Sequence, residues 1–184
     1  MSSFTRKAII DAFMRIAEKK PLQKITVRDI VDDCGINRNT FYYYFKDIYD
    51  VAECLFSCPD DTLPLGIDPE DDLGLTVGRL LSFSVSHREL IRNLYRSVGY
   101  EGMERYMHAL LGQKLEQAIR DAAGAEISEA DAAFLCRFLQ KAVFGIVVDW
   151  FADGMKEDPA LLATKLHRLS MAAIRTWTQE NTPL

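Results

Sequence analysis

The sequence predicts an all-α protein, and three observations carry that expectation. Apolar residues recur at helical spacing, as in Ala8, Ile9, Ala12, Phe13, Ile16 and Ala17, and nowhere alternate with the period of two that a half-buried strand requires. Glycine (10) and proline (6) are sparse in 184 residues, while alanine, leucine, isoleucine, arginine and glutamate are frequent. Helix-start signals recur along the chain, in which a capping residue is followed three positions later by an acid. A hydrophobic fraction of 48% supports a packed core and argues against disorder.

Each element follows from local chemistry. The stripe from Ala8 to Ala17 predicts an amphipathic helix over 5–20, stopped by Pro21. Thr26 caps a second helix, Asp29 completes a capping box, and Ile25 is placed to staple onto Ile30. Val27, Ile30 and Val31 form its apolar face, and Gly35 suits the left-handed turn that ends it. Asn37 caps a third helix running to about Tyr44, with Phe41 and Phe45, four apart, as its buried stripe, helped by Ile36. The chain breaks at Lys46–Asp47, and a fourth helix carries Ile48, Val51, Ala52, Leu55 and Phe56 on one side.

Residues 58–72 differ in kind, with Pro59, Pro64, Gly66, Pro69, six acids and no Lys or Arg. This segment is read as the boundary between a domain at 1–57 and a domain at 58–184. Asp68-Pro69-Glu70 reads as the next helix start. Five further helices are expected at 69–85, 87–98, 101–122, 128–152 and 159–178, about nine in all. Ser86 with Glu89, Ser128 with Asp131, and Asp158 before Pro159 signal their starts.

Composition narrows the function classes. No apolar run reaches the ~18 residues needed to span a bilayer, and the N-terminus lacks a signal-peptide core, so a cytoplasmic protein with no membrane partner is expected. Cys34, Cys54, Cys58 and Cys136, with His87, His108 and His167, show no zinc spacing. Buried reduced thiols and no metal are expected. There is no glycine-rich phosphate loop and no nucleophile elbow. Asp32–Asp33 and Asp71–Asp72 are adjacent surface-type pairs rather than carboxylates converging across a cleft, so neither an enzyme nor a cofactor is expected. The net charge is −5, unevenly spread. Residues 1–56 hold nine Lys and Arg against eight Asp and Glu, and the remainder thirteen against nineteen. An acidic body repels phosphate, which confines any nucleic-acid contact to the N-terminal part.

Helix, glycine turn and helix within about 20 residues match a helix-turn-helix. The second helix exposes Arg38, Asn39, Thr40, Tyr42, Tyr43 and Tyr44, and three consecutive tyrosines cannot all face a core when neighbours point about 100° apart. In a major groove Arg38 forks onto guanine O6 and N7, and Asn39 pairs with adenine. Thr40 offers a hydroxyl to phosphate or a methyl to thymine, and Tyr42 and Tyr43 offer rings to the groove and hydroxyls to phosphate. Lys46 and the start of the fourth helix can hold the backbone, and Thr26 and Arg28 can contact the flanking strand. Arg28 can equally pair with Asp32 at i+4, and one of the three tyrosines is expected to pack.

Residues 6–56 resemble the DNA-binding domain of the tetracycline-repressor (TetR) family. The likeness rests on ITVRDIV, then CGINRNTFYYYFKD, then an apolar helix; Thr26, Gly35, Thr40, Phe41, Tyr42, Tyr44 and Phe45 stand at the motif positions. One departure is Ile48, preceded by Asp47, where the family usually has a phosphate-binding lysine. The runs Asn-Arg-Asn-Thr-Phe-Tyr-Tyr and Lys-Asp-Ile-Tyr-Asp are similar to those of regulators associated with dihydroxyacetone kinase operons.

The resemblance implies a sequence-specific regulator on a double-stranded DNA operator, acting as a repressor, and a homodimer through the last two helices. The residues support the dimer separately: 128–152 is apolar nearly all round, with Leu135, Phe138, Val143, Phe144, Val147 and Trp150 among its residues, more than one core absorbs. The resemblance also implies an effector cavity among the middle helices. Candidate lining residues are Phe83, Leu90, Leu94, Tyr95, Met103, Tyr106, Met107, Phe134, Phe138 and Phe144, with His87, Arg92, His108, Arg137 and Gln140 to orient a ligand. The same aromatic and methionine stripes are also what a plain core requires. The alternative is a regulator or activator that depends on a protein coactivator instead of a small molecule.

Overall fold

A computed structural model describes residues 2–57, 65, 68, 70–123 and 127–180. Among them there are α-helices and one short 3-10 turn, and no strand. The helices are α1 (Ser2–Ala17), α2 (Val27–Cys34), α3 (Arg38–Tyr44), α4 (Ile48–Ser57), α5 (Leu73–Ser86), α6 (Arg88–Ala123), α7 (Glu129–Ala152) and α8 (Pro159–Glu180). The chain forms two compact units, Met1–Gly66 with Ser86–Tyr106, and Ile67–Val85 with Met107–Leu184.

In the first unit, local caps set the boundaries. Asp29 N–H donates to the Thr26 hydroxyl at 3.2 Å, and Thr26 N–H donates to the Asp29 carboxylate at 2.7 Å, so the box at the start of α2 is closed both ways. Gly35 ends α2 at φ 69°, ψ 31°, where a Cβ would be strained. Asn37 Oδ1 accepts the Thr40 N–H at 2.8 Å and opens α3. Ile9, Ile10, Phe13, Leu22, Ile30, Phe41, Leu55 and Phe56 are wholly buried and make one core. α1 ends at Ala17, three residues short of expectation, and the turn bonds of Glu18, Lys19 and Lys20 carry the chain on to Pro21.

The first stretch of α6 belongs to this unit and is stitched to it by polar contacts. Asn93 donates to the Ala17 carbonyl at 2.8 Å, Leu22 N–H donates to the Ser97 hydroxyl at 3.1 Å, and His87 Nδ1 lies 2.7 Å from Glu18 Oε1. At Gly99 the backbone leaves helical geometry (φ 68°, ψ −171°), so the expected separate helices at 87–98 and 101–122 are two stretches of α6 divided there. Ser86 is the last residue of α5 rather than the cap of α6; the His87 carbonyl takes the first helical bond, from Ile91 N–H.

The second unit holds α5, the end of α6, α7 and α8. α5 starts at Leu73, not at 69, because the Asp72 carboxylate accepts the Leu75 N–H at 2.8 Å and so caps it. Asp68 instead takes the Glu70 N–H at 2.8 Å, and Pro69, with the rest of the expected boundary segment at 58–64 and 66–67, lies outside the described residues. Asp71 is buried and bridged to Arg79 at 2.7 Å, and Lys114 donates to the Asp71 carbonyl at 2.5 Å. Ser128 caps α7 by accepting the Asp131 N–H at 3.1 Å, and Asp158 caps α8 by accepting the Leu161 N–H at 2.9 Å. Trp150 Nε1 donates to the Glu157 carbonyl at 3.0 Å across the intervening turn. α7 buries Leu135, Leu139, Val143, Phe144 and Val147, yet leaves Phe134, Phe138 and Ile146 exposed. α8 exposes Leu161 and Leu169. Cys34, Cys54 and Cys136 are free thiols, and burial pushes Cys34 and Cys136 up; Cys58 lies outside the described residues.

Hydrogen bonds from Lys20 and from Thr26 hold the Asp29 carboxyl down to about 2. A depressed carboxyl contributes stability that is complete above its unfolded value, 3.8, and lost as pH falls toward 2. Thr26→Ala is expected to lower unfolding free energy by about 1 kcal/mol in urea at neutral pH. Asp29→Asn is expected to lose its deficit relative to wild type when the urea series is repeated at decreasing pH through that window.

Candidate nucleic-acid interface

α3 has only seven residues, too few to hold itself in water, and is seated by its side chains. Phe41 is wholly buried and Phe45 nearly so, their rings 6.0 Å apart. The Arg6 guanidinium lies over the Phe45 ring at 5.6 Å. Because Phe41 and Phe45 point inward, Arg38, Asn39, Tyr42 and Tyr43 on the other side of α3 point outward. Arg38 and Asn39 are exposed, and no hydrogen bond engages either side chain among the described residues. Tyr42 is 57% and Tyr43 80% exposed. Tyr44 is the tyrosine that packs; it is half-buried, edge-on to Tyr43 at 5.0 Å, while Tyr42 stands edge-on to Phe41 at 5.5 Å.

The other expected contact residues are more committed. The Thr26 hydroxyl donates to Asp29 at 2.7 Å and accepts its N–H, and the Thr40 hydroxyl donates to Asn37 at 3.1 Å. Arg28 pairs with Asp32 at 3.4 Å, the local alternative read from the sequence, in an exposed bridge that restrains it little. Lys46 is exposed. The start of α4, where contact with a DNA backbone is expected, is capped by carboxylates. Asp47 Oδ1 accepts the N–H groups of Tyr49 and Asp50 at 2.8 and 3.0 Å, and Asp50 accepts the Lys46 N–H at 2.8 Å. Sequence reasoning missed these caps, although Asp47 and Asp50 have capping-box spacing.

The expected effector residues divide between the two units and mostly pack as core. Leu90, Leu94, Met103 and Tyr106 are buried in the first unit, and burial pushes the Tyr106 hydroxyl up; Phe56 stacks on its ring at 5.2 Å. Tyr95 is half-buried there, His87 meets Glu18, and Arg92 pairs with Glu89. Phe83, Met107 and Phe144 are buried in the second unit. Arg137 and Phe138, expected to line a pocket, are instead exposed on α7, with Arg137 5.9 Å from the Phe134 ring. A groove of about 740 Å³ in the second unit runs past Gly74, Gly78, Ala163 and His167, and one of about 480 Å³ in the first past Asp47, Asp50, Arg105 and Tyr106. Of the expected residues, Tyr106 lines the latter and none lines the former.

Residues 9–55 match the family described as bacterial regulatory proteins, tetR family, and residues 76–172 match a transcriptional regulator C-terminal region of the same family. The chain belongs to the tetR family. It is therefore a DNA-binding transcriptional regulator, with α2 and α3 as its helix-turn-helix. Members of this family bind DNA operators and typically dimerise, and membership places the chain among transcriptional regulators. A solved structure, "Dihydroxyacetone kinase operon activator DhaS", is similar with a TM-score of 0.70 over 94% of this chain and 97% of that one, at 21% identity, which shows a shared fold. No curated protein matches. Among the described residues no helix is long and apolar enough to cross a membrane, and no group of three His, Cys, Asp or Glu is placed to hold a metal ion.

Phe41→Ala is expected to cost about 3–5 kcal/mol, as a truncated buried phenylalanine does. Differential scanning calorimetry of the full chain checks this, and Tyr43→Ala, at a mostly exposed ring, is expected to shift the transition little.

Proposed function

We propose that the protein is a homodimeric repressor that reads operator DNA with α3, Arg38 and Asn39 contacting base edges and Tyr42, Tyr43 and Lys46 contacting phosphate and groove wall. The observation that carries this reading is the exposure of Arg38, Asn39, Tyr42 and Tyr43 on a helix whose other face is anchored by Phe41 and Phe45. Thr26, Arg28, Thr40 and Tyr44 are further contact residues in this reading; the exposed Arg28–Asp32 bridge is exchangeable for phosphate at little cost, whereas the Thr26 and Thr40 hydroxyls are engaged by Asp29 and Asn37.

Dimerisation is supported by the outward apolar residues Phe134, Phe138 and Ile146 on α7 and Leu161 and Leu169 on α8. A helix with apolar residues on both faces needs a second surface to bury. Control by a small polar effector is supported by Gln140, which is 8% exposed with an Nε2 that has no hydrogen-bond partner among the described residues. That nitrogen would lie 3.1 Å from a Cβ at Gly112, with His108 Nδ1 3.7 Å from the same point. Glycine there leaves room for the amide. A second reading, an activator controlled by a protein coactivator, is favoured by the exposed Arg137, and the name of the similar structure accords with activation.

Arg38→Ala is expected to cost about 1–3 kcal/mol in binding to the protein's own upstream DNA and to flatten its sequence preference. Fluorescence anisotropy with point-mutated duplexes reads this; undiminished preference would reject the role. Replacing Phe138 or Leu169 by Asp is expected to convert the dimer to a monomer in sedimentation velocity, with the helical content retained.

A further inference from the structure

The groove of about 480 Å³ in the first unit has the size of a small-molecule site, ~300–1,000 Å³. α4 supplies Asp50 and Glu53 to it, the turn before α4 supplies Lys46 and Asp47, and α6 supplies Arg105 and Tyr106. All six belong to the same compact unit.

Tyr106 sets this groove apart from a plain gap between helices. The residue is only 4% exposed, and its ring stacks on Phe56 at 5.2 Å, 11° from parallel, so the phenol is held in place. Its hydroxyl makes no hydrogen bond among the described residues, although the residue lines the groove. A polar group this deep without a partner is costly unless something from outside completes it. Burial pushes the hydroxyl up, Glu53 pushes it the same way and Arg105 opposes them, so it stays protonated at neutral pH and is a donor. The two charged groups that act on it most are therefore of opposite sign. They do not bridge to each other. Arg105 is exposed, and no hydrogen bond or ion pair engages its guanidinium among the described residues.

The charges select the ligand. The carboxylates of Asp47, Asp50 and Glu53 repel a simple anion, and the cations of Lys46 and Arg105 repel a simple cation. A molecule carrying both charges close together meets both sets. We propose that this groove binds a free amino acid, with Arg105 and Tyr106 donating to its α-carboxylate and Glu53 accepting from its α-ammonium. The bonds to Arg105 and Glu53 are charge-assisted, and the guanidinium fork matches a carboxylate in shape. The ligand also gives the Tyr106 hydroxyl the acceptor that the chain does not. This inference goes beyond the effector reading at Gln140 and does not depend on it. Lys46 lines the groove and is also a proposed phosphate contact, which sets the site beside the reading helix.

The test screens the full-length protein by saturation-transfer NMR against each of the protein amino acids at millimolar concentration, and calorimetry then gives Kd. At least one amino acid is expected to bind, and its deaminated and decarboxylated analogues to bind about tenfold more weakly or worse. Arg105→Ala and Glu53→Gln, both at exposed positions, are each expected to weaken binding about tenfold with an unchanged unfolding transition. Tyr106→Phe keeps the ring stack and is expected to weaken binding about fivefold. Gln140→Ala is expected to leave Kd unchanged. Binding of no amino acid, equal binding of the single-charge analogues, or an unchanged Kd in both Arg105→Ala and Glu53→Gln would overturn the proposal. If Gln140→Ala alone abolishes binding, this inference falls and the effector reading in the second unit stands.

Discussion

Burial of Phe41 and Phe45 is the interaction on which the rest of the reading domain depends. A seven-residue helix has too few internal hydrogen bonds to offset the entropy of forming it, so tertiary packing must hold α3. Two rings four residues apart do this and set its rotation at the same time. Once they point inward, Arg38, Asn39, Tyr42 and Tyr43 have nowhere to go but outward. The reading surface is thus a consequence of core packing. The caps add to it: Gly35 in its left-handed conformation and Asn37 at the α3 start set the turn between α2 and α3 without a bulky side chain.

The same domain is tied together by ion pairs and amides placed at helix ends. Lys20 reaches Asp29 at the start of α2, and Arg15 pairs with Asp33 near its end, so α1 and the turn that follows it grip both ends of α2. Exposed bridges of this kind contribute little individually. The contacts of the first α6 stretch are more consequential, since a buried Asn93 satisfies the otherwise open Ala17 carbonyl at the end of α1. This stretch is followed by Gly99, whose positive φ an L-residue adopts only with strain, so the change of direction in α6 is built into the backbone. The second unit has a different problem: α7 carries apolar residues on its buried side and its exposed side alike, which one core cannot cover.

Much of the fold was legible in the sequence because helix ends are local. Thr26 with Asp29, Asn37 with Thr40, Ser128 with Asp131 and Asp158 with Leu161 are hydrogen bonds spanning three residues, and spacing alone reveals them. The start of α5 was misplaced because the chain offers two capping residues there. Asp68 and Asp72 both suit a helix start, and the burial of Leu73 and Val77 decided between them. The likeness of CGINRNTFYYYFKD to a family motif located the reading helix, and the apolar positions Phe41 and Phe45 gave its rotation.

The sequence by itself determined the all-α class, most helix boundaries, the helix-turn-helix and the outward set on α3, since all follow from helical periodicity and contacts a few residues apart. Only the tertiary structure decided that Tyr44 is the tyrosine that packs, that the start of α4 is closed by Asp47 and Asp50, that His87 meets Glu18, and that Arg137 and Phe138 face out. It also decided that the first stretch of α6 belongs with the reading helices. The physical reason is separation: Asn93 and Ala17 are 76 residues apart, and no periodicity in a one-dimensional pattern records which distant helix supplies the partner. Burial likewise depends on what packs above a residue, so a stripe of aromatics reads the same in a chain whether it will line a cavity or fill a core.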